Sequence, residues 1–336
     1  MKLNPRLLLS LPVALAITAG TAQAQTKEVT IAHQDMIVPF RVQQAAGTVE
    51  KATGYKINWK MLGGGGDVIK AMASGQVPIG EVGSSPITAA AAQGIDIQVI
   101  WVLDDINNAE QLIASNKSGI TSLAGLKGKK VATPFVSTAH YQLLFALNHA
   151  GVNPKEIQIL NLRPPEIAAA WERGDLDATF IWEPVLSKVK ADGKVIMSSA
   201  EIGKQGAPTF DGIIVNRAWA AQNKDFLVSY VKALAAADAD YKANTASYGK
   251  GSAHATAIAK IVGAKPDDVP GVLADYAYPT AAEQASDKWL GGGAKGGVAQ
   301  ALANTAKFLL EQKRITELPA DFGKFVNPEF AAAAAK

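Results

Sequence analysis

From Val29 onward, short β-branched and aliphatic runs alternate with stretches whose apolar residues recur at helical spacing. Val29–Gln34 (VTIAHQ) reads as a strand. Pro39–Thr53 reads as a helix opened by a proline and closed by Gly54. Lys56–Leu62 is a second strand, followed by a flexible loop at Gly63–Gly66. Asp67 is placed to cap a helix over Val68–Ser74 that stops at Gly75. Val77–Val82 is a buried strand, and Gly83-Ser84-Ser85-Pro86 leads into a helix over Ile87–Gln93. This β-α-β-α-β order predicts a parallel sheet with right-handed crossovers.

The same order returns about a hundred residues later. Lys129–Thr133, Ile157–Leu162 and Leu176–Trp182 read as strands, with helices over Thr138–Ala150 and Glu166–Arg173 between them. A shift of 99 positions aligns Val68 with Ile167, Ala71 with Ala170, Gly75 with Gly174 and Val77 with Leu176. Agreement of element order with spacing marks a structural repeat. It also sets Ser84-Ser85 beside Glu183-Pro184, both just past the third strand of their half, where open α/β sheets place ligands. Beyond Ile213 the pattern is mostly helical, clearest over Asn223–Ala243 and Val298–Gln312. The picture is a clamshell of two α/β lobes. Residues 25–111 with 212–330 form lobe 1 and residues 112–211 form lobe 2, with hinge crossings near Gln111 and Thr209–Gly212. A frayed tail over Ala331–Lys336 completes the chain.

The amino terminus follows a different pattern. Lys2 and Arg6 precede the apolar run Leu7–Ala19, and Ala22-Gln23-Ala24 supplies an A-x-A site, the layout of a secretory signal peptide cleaved after Ala24. Thirteen apolar residues fall short of the roughly 20 a spanning helix needs. The expectation is export to a periplasm. The chain carries 33 Lys and Arg against 30 Asp and Glu, and losing Lys2 and Arg6 leaves 31 against 30. That balance excludes gripping nucleic acid by bulk charge. With no cysteine, disulfides, thiolate nucleophiles and Cys-ligated metals are excluded.

Candidate chemistry is sparse and therefore informative. The Gly63–Gly66 run lacks the G-K-[ST] ending of a phosphate loop, and G-x-S-x-G is absent. His33, His140, His149 and His254 form no metal-ligating pattern, so neither metal nor cofactor is expected. What remains is Gly83-Ser84-Ser85-Pro86 and Phe135-Val136-Ser137-Thr138-Ala139-His140-Tyr141, each a strand end, hydroxyls, then a helix start. Free N–H groups and the positive end of the dipole favour an anion there, although simple N-capping by the hydroxyls is an equal alternative. Glu110 and Asp211 at the crossings, and Trp182-Glu183 at a strand end, suggest an ammonium pocket with a cation–π wall.

These motifs, with Pro164-Pro165-Glu166-Ile167-Ala168-Ala169-Ala170-Trp171, Gly174-Asp175-Leu176-Asp177, Asn108-Ala109-Glu110 and Gly206-Ala207-Pro208-Thr209-Phe210-Asp211, resemble the aliphatic sulfonate, nitrate and taurine substrate-binding family of ABC importers, and within it the taurine binders. The likeness runs over essentially the whole chain past the leader. It implies a type II periplasmic binding protein, each lobe a mixed, mostly parallel sheet flanked by helices. The implied function is a monomer that carries a small zwitterionic organosulfonate to a membrane permease without chemical turnover. Ser84, Ser85, Ser137, Thr138, His140 and Tyr141 would surround the sulfonate; Glu110 and Asp211 would face the amine, with Trp182 as a wall. Two departures, His33-Gln34-Asp35 in place of an aromatic and a small hydroxyl residue, and an acid at Glu183, add Gln34, Asp35 and Glu183 to the expected pocket. The other readings are an enzyme on the same fold, or a carrier of amine-free sulfonates, nitrate or a thiamine-precursor pyrimidine.

Overall fold

The computed structural model describes residues 27–336, so the expected leader and its cleavage site lie outside the described residues. Two five-stranded sheets organise the chain. The strands of the first are β1 (Glu28–His33), β2 (Lys56–Met61), β3 (Ile79–Gly83) and β4 (Ile97–Asp105), interleaved with α1 (Phe40–Ala46), α2 (Thr48–Thr53), α3 (Gly65–Ala73) and α4 (Ser84–Ala92). The second holds β5 (Glu110–Ser115), β6 (Lys130–Thr133), β7 (Gln158–Asn161), β8 (Ala178–Trp182) and β9 (Gly193–Ser198), with α5 (Thr138–His149), α6 (Pro164–Glu172), α7 (Val185–Lys190) and α8 (Ser199–Lys204). The chain then returns through β10 (Phe210–Asn216) to the first sheet.

The strand orders, β2-β1-β3-β10-β4 and β7-β6-β8-β5-β9, are the same order twice. In each, four strands share one direction and the strand in the fourth place, β10 or β5, runs antiparallel between its neighbours. That fourth strand is the one delivered from the other half. The 99-residue shift is met at both ends of two elements: α3 maps onto α6 and β3 onto β8. Crossings at residues 106–109 and 205–209 join the halves, so Glu110 and Gln111 lie in the second sheet and Asp211 in the first.

Helices α9 (Arg217–Gln222), α10 (Lys224–Ala243), α11 (Ala253–Val262), α12 (Val269–Asp275), α13 (Ala281–Ala285), α14 (Gly297–Glu311) and α15 (Glu329–Ala334) belong to the first lobe. Its core gathers Phe40, Trp101 and Tyr230, all fully buried, while Phe180, Trp171 and Trp182 sit in a separate core beneath the second sheet.

Local departures from the sequence expectations have simple causes. The helix expected over Pro39–Thr53 is two, because Gly47 adopts the left-handed region at φ 63°. Asp67 does not cap α3; the helix starts earlier, at Gly65. A Cβ there would lie 2.6 Å from Pro86 Cγ, so only glycine lets the turn pack so closely. Strands β4, β5, β9 and β10, joined by the antiparallel ladders, carry no helix-alternating signal and were not anticipated. The expected frayed tail is instead helical through Ala334. Phe330 and Ala331 are buried, and α15 packs on α10 and α13.

Candidate functional site

A cleft between the lobes is lined by Gln34, Met36, Gly65, Gly83 and Pro86 from the first and by Glu110, Ser137, Thr138 and Trp182 from the second. Asp211 and Tyr276 complete it. Three helix N-termini thereby converge: α3 at Gly65, α4 behind Gly83, and α5 at Ser137-Thr138. Their free backbone N–H groups and dipoles favour a negative head group. Among the lining residues there is no lysine or arginine.

The lobes meet closely here. A Cβ on Gly83 would lie 2.7 Å from Thr138 Cγ2 and 3.3 Å from Asp211 Oδ1. Trp182 Nε1 donates to Asp35 Oδ1 across the cleft at 3.0 Å. The cavity between the lobes is about 10 Å³, room for roughly one water molecule. Any ligand larger than a water molecule therefore enters by parting them.

The hydroxyls are unequal. Ser84 Oγ accepts from Phe210 N and so ties α4 to β10, and Ser137 Oγ accepts from His140 N as the α5 cap while donating to Pro134 O. Ser85 Oγ is buried with no partner, an orphaned donor behind the cleft wall. Leaving such a group unpaired costs about 1–3 kcal/mol. It fits an anion's oxygen.

The opposite end is acidic. Thr138 Oγ1 donates to Glu110 Oε1 at 2.6 Å, while Glu110 Oε2 has no partner. Burial, then the nearby Asp211 charge, pushes the Glu110 carboxyl up to about 8. Burial also raises Asp211, with Glu81 adding to it, and raises Asp35. Arg41 lies beneath this end but is already engaged. It pairs with Glu81 and donates to the carbonyls of Met36 and Gln34. The Glu110–Thr138 contact sets an acid directly beside the start of α5.

The structure brings Gln34, Asp35, Ser85, Glu110, Ser137, Thr138, Trp182 and Asp211 to one place. Four expected residues stand apart, Ser84 among them, since its hydroxyl is spent on Phe210 N. Glu183 turns its carboxylate onto Ser187 N and Oγ, capping α7. Tyr141 packs edge-on against Phe308. His140 stacks on Phe135, and burial holds its imidazole down at about 4, hence neutral. Met36, Gly65, Asp104 and Tyr276 were missed. A signal existed for Asp104: two acids, Asp104-Asp105, close the apolar run of β4.

Two mixed α/β lobes joined by two crossings, with helix starts and acids opposed across one cleft, define a two-lobe ligand-binding protein of the periplasmic binding fold. The family model described as NMT1/THI5 like matches residues 47–246, and the chain belongs to that family. It is 36% identical over 321 residues to the taurine-binding periplasmic protein of Escherichia coli, covering 96% of this chain and 97% of that protein. It also resembles the crystal structure of the periplasmic aliphatic sulphonate binding protein SsuA from Escherichia coli (TM-score 0.71, 22% identity, 90% and 92% of the two chains). A second likeness is to the alkanesulfonate-binding protein SsuA from Xanthomonas axonopodis pv. citri bound to MOPS (TM-score 0.71, 23% identity, 93% and 98%). At these identities the two structures establish the fold alone. Among the described residues no helix is long and apolar enough to cross a membrane.

Proposed function

We propose that this protein captures taurine, or a closely related short aminosulfonate, between its lobes and delivers it unaltered to the membrane permease of an ABC importer. The periplasm is its place of work and the monomer its working form. One observation carries the reading. The cleft offers converging helix N-termini with no basic side chain in its lining and an unpaired Ser85 hydroxyl behind its wall, next to buried carboxyls of Glu110 and Asp211 that no lining cation answers. A sulfonate is fully ionised with three equivalent oxygens and suits an array of neutral donors; a carboxylate-specific pocket more often uses a bidentate arginine. The acids call for an ammonium, and Trp182 walls it. The crossings at residues 106–109 and 205–209 act as the hinge, and closure removes both ligand charges from water only where each is paired.

The name of the Escherichia coli relative supports the cargo, and the names of the relatives support a binding rather than a catalytic role. An amine-free sulfonate, nitrate or a thiamine-precursor pyrimidine would leave Glu110 and Asp211 facing no cation. Calorimetry of the chain with taurine is expected to show 1:1 binding at roughly micromolar Kd or tighter, about −8 kcal/mol. Absence of heat with taurine and with every short aminosulfonate would overturn the cargo.

A further inference from the structure

Asp104 lies one layer beneath the cleft and is fully buried. It sits directly opposite Asp211 in the antiparallel β4–β10 ladder, and a bulge between Asp211 and Gly212 interrupts the register at that point. Like charges opposed across a ladder repel. Neither Asp104 oxygen meets an N–H or O–H donor, and the group it faces is the Asp211 carboxyl. Two carboxyls face each other stably only when a proton bridges them.

The surrounding elements supply no rescue. From β3 comes Glu81, whose charge is answered by Arg41 of α1. From β5 comes Glu110, with one oxygen unpaired. Asp105, the next residue on β4, adds a further acid, and the segment after α12 brings Tyr276 and Tyr278. Asp35, in the loop after β1, is held by Trp182. Arg41, the cation that reaches Asp211, also holds two backbone carbonyls and Gln44.

We infer that Asp104 and Asp211 share one proton in the ligand-free cleft and that an ammonium arriving at Asp211 and Glu110 expels it, making capture proton-coupled with Asp104 as the positioning residue. The bridging O–H bond breaks, its proton leaves to solvent, and the ligand's ammonium takes its place, so the net charge of the acidic end is unchanged while the sulfonate's charge is met at the helix starts. Burial, reinforced by the Asp211 charge, holds Asp104 well above the usual carboxylate range, which agrees with a shared proton at neutral pH. This inference rests on the proposed ammonium ligand for its second half only.

The sign of the pH effect follows from linkage. Groups whose folded pKa is raised favour the folded state below the ordinary carboxylate range, and that stability is lost as pH rises through the raised values. Ligand-free protein is therefore expected to melt higher at pH 5.5 than at pH 8, and Asp104→Asn, whose amide donates to Asp211, should show a clearly shallower slope. Glu110, Asp238 and the other buried carboxyls raised by burial supply the slope that remains. Equal slopes in the two proteins would overturn the shared proton whatever the cargo. Buried neutral His33 and His140 work the other way over this range, so the comparison is read between proteins and not from the wild-type midpoint alone. If Asp104→Asn does not fold, Asp211→Asn takes its place with the same criterion.

Taurine calorimetry at pH 7 in buffers of different ionisation enthalpy completes the test. The expected result is release of about one to two protons per ligand, one from the Asp104–Asp211 pair and the rest from Glu110, with affinity rising about tenfold per pH unit for each proton released. Asp104→Asn should release about one fewer, and an equal release in the two proteins would overturn the coupling at the pair. Binding with no proton released would overturn the coupling and leave the proposed function standing. No taurine heat, with the melting slopes still different, would overturn the cargo and leave the shared proton.

Discussion

At the scale of single residues, the cleft separates groups that touch a ligand from groups that hold the wall. On the proposed function Asp211 belongs to the first kind. Asp211→Asn removes a charge-assisted hydrogen bond of about 1.5–3 kcal/mol, so taurine affinity should fall about 10–100-fold, measured by calorimetry. An unchanged Kd would mean that no ammonium sits there. Ser85, buried with an unpaired hydroxyl, should weaken every sulfonate alike when changed to alanine. Glu183 belongs to the second kind, because its carboxylate caps α7 through Ser187. Glu183→Ala should cost stability of about 0.5–2 kcal/mol in denaturant melts and leave the ranking among aminosulfonates intact. Most of the acids and hydroxyls that meet in the cleft were legible in the sequence, because strand ends and helix starts announce themselves through hydroxyl, proline and glycine positions. Asp104 and Tyr276 were not. Each reaches the site through pairing between segments far apart in the chain, which local pattern does not encode.

At the scale of elements, the glycines at the helix starts set how closely the lobes can approach. Gly83 has an ordinary extended backbone, so alanine is free of conformational strain there. The added Cβ would nevertheless lie 2.7 Å from Thr138 of the opposite lobe. Gly83→Ala is thus expected to keep its melting temperature within a few degrees and to lose taurine binding at least about tenfold, because the clash falls on closure rather than on either core. A variant that binds normally would show that the lobes need not come so near. The parallel βαβ units were readable because helical and strand periodicities alternate. The antiparallel fourth strand of each sheet was not, since β5 and β10 are single runs whose partners lie far away in the sequence. The tail misled for a related reason: an alanine run has little apolar area of its own, yet Phe330 and Ala331 fit against α10 and α13.

At the scale of the whole molecule, two halves of the same topology exchange one strand each and face one another with matched helix starts. The interlobe contacts differ in weight. The Arg163–Asp67 ion pair at 3.2 Å is largely exposed, so its removal should change affinity less than about threefold in titration. The buried cleft contacts carry the selectivity. Recognition of both ends of a zwitterion is the central claim, and the most direct measurement is a calorimetric comparison of taurine with ethanesulfonate, which differs only by lacking the amine. The account predicts tight 1:1 taurine binding and a loss of at least about 100-fold for ethanesulfonate, since Glu110 and Asp211 would then be left without their cation. Equal affinity for the two ligands, or none for either, would contradict it.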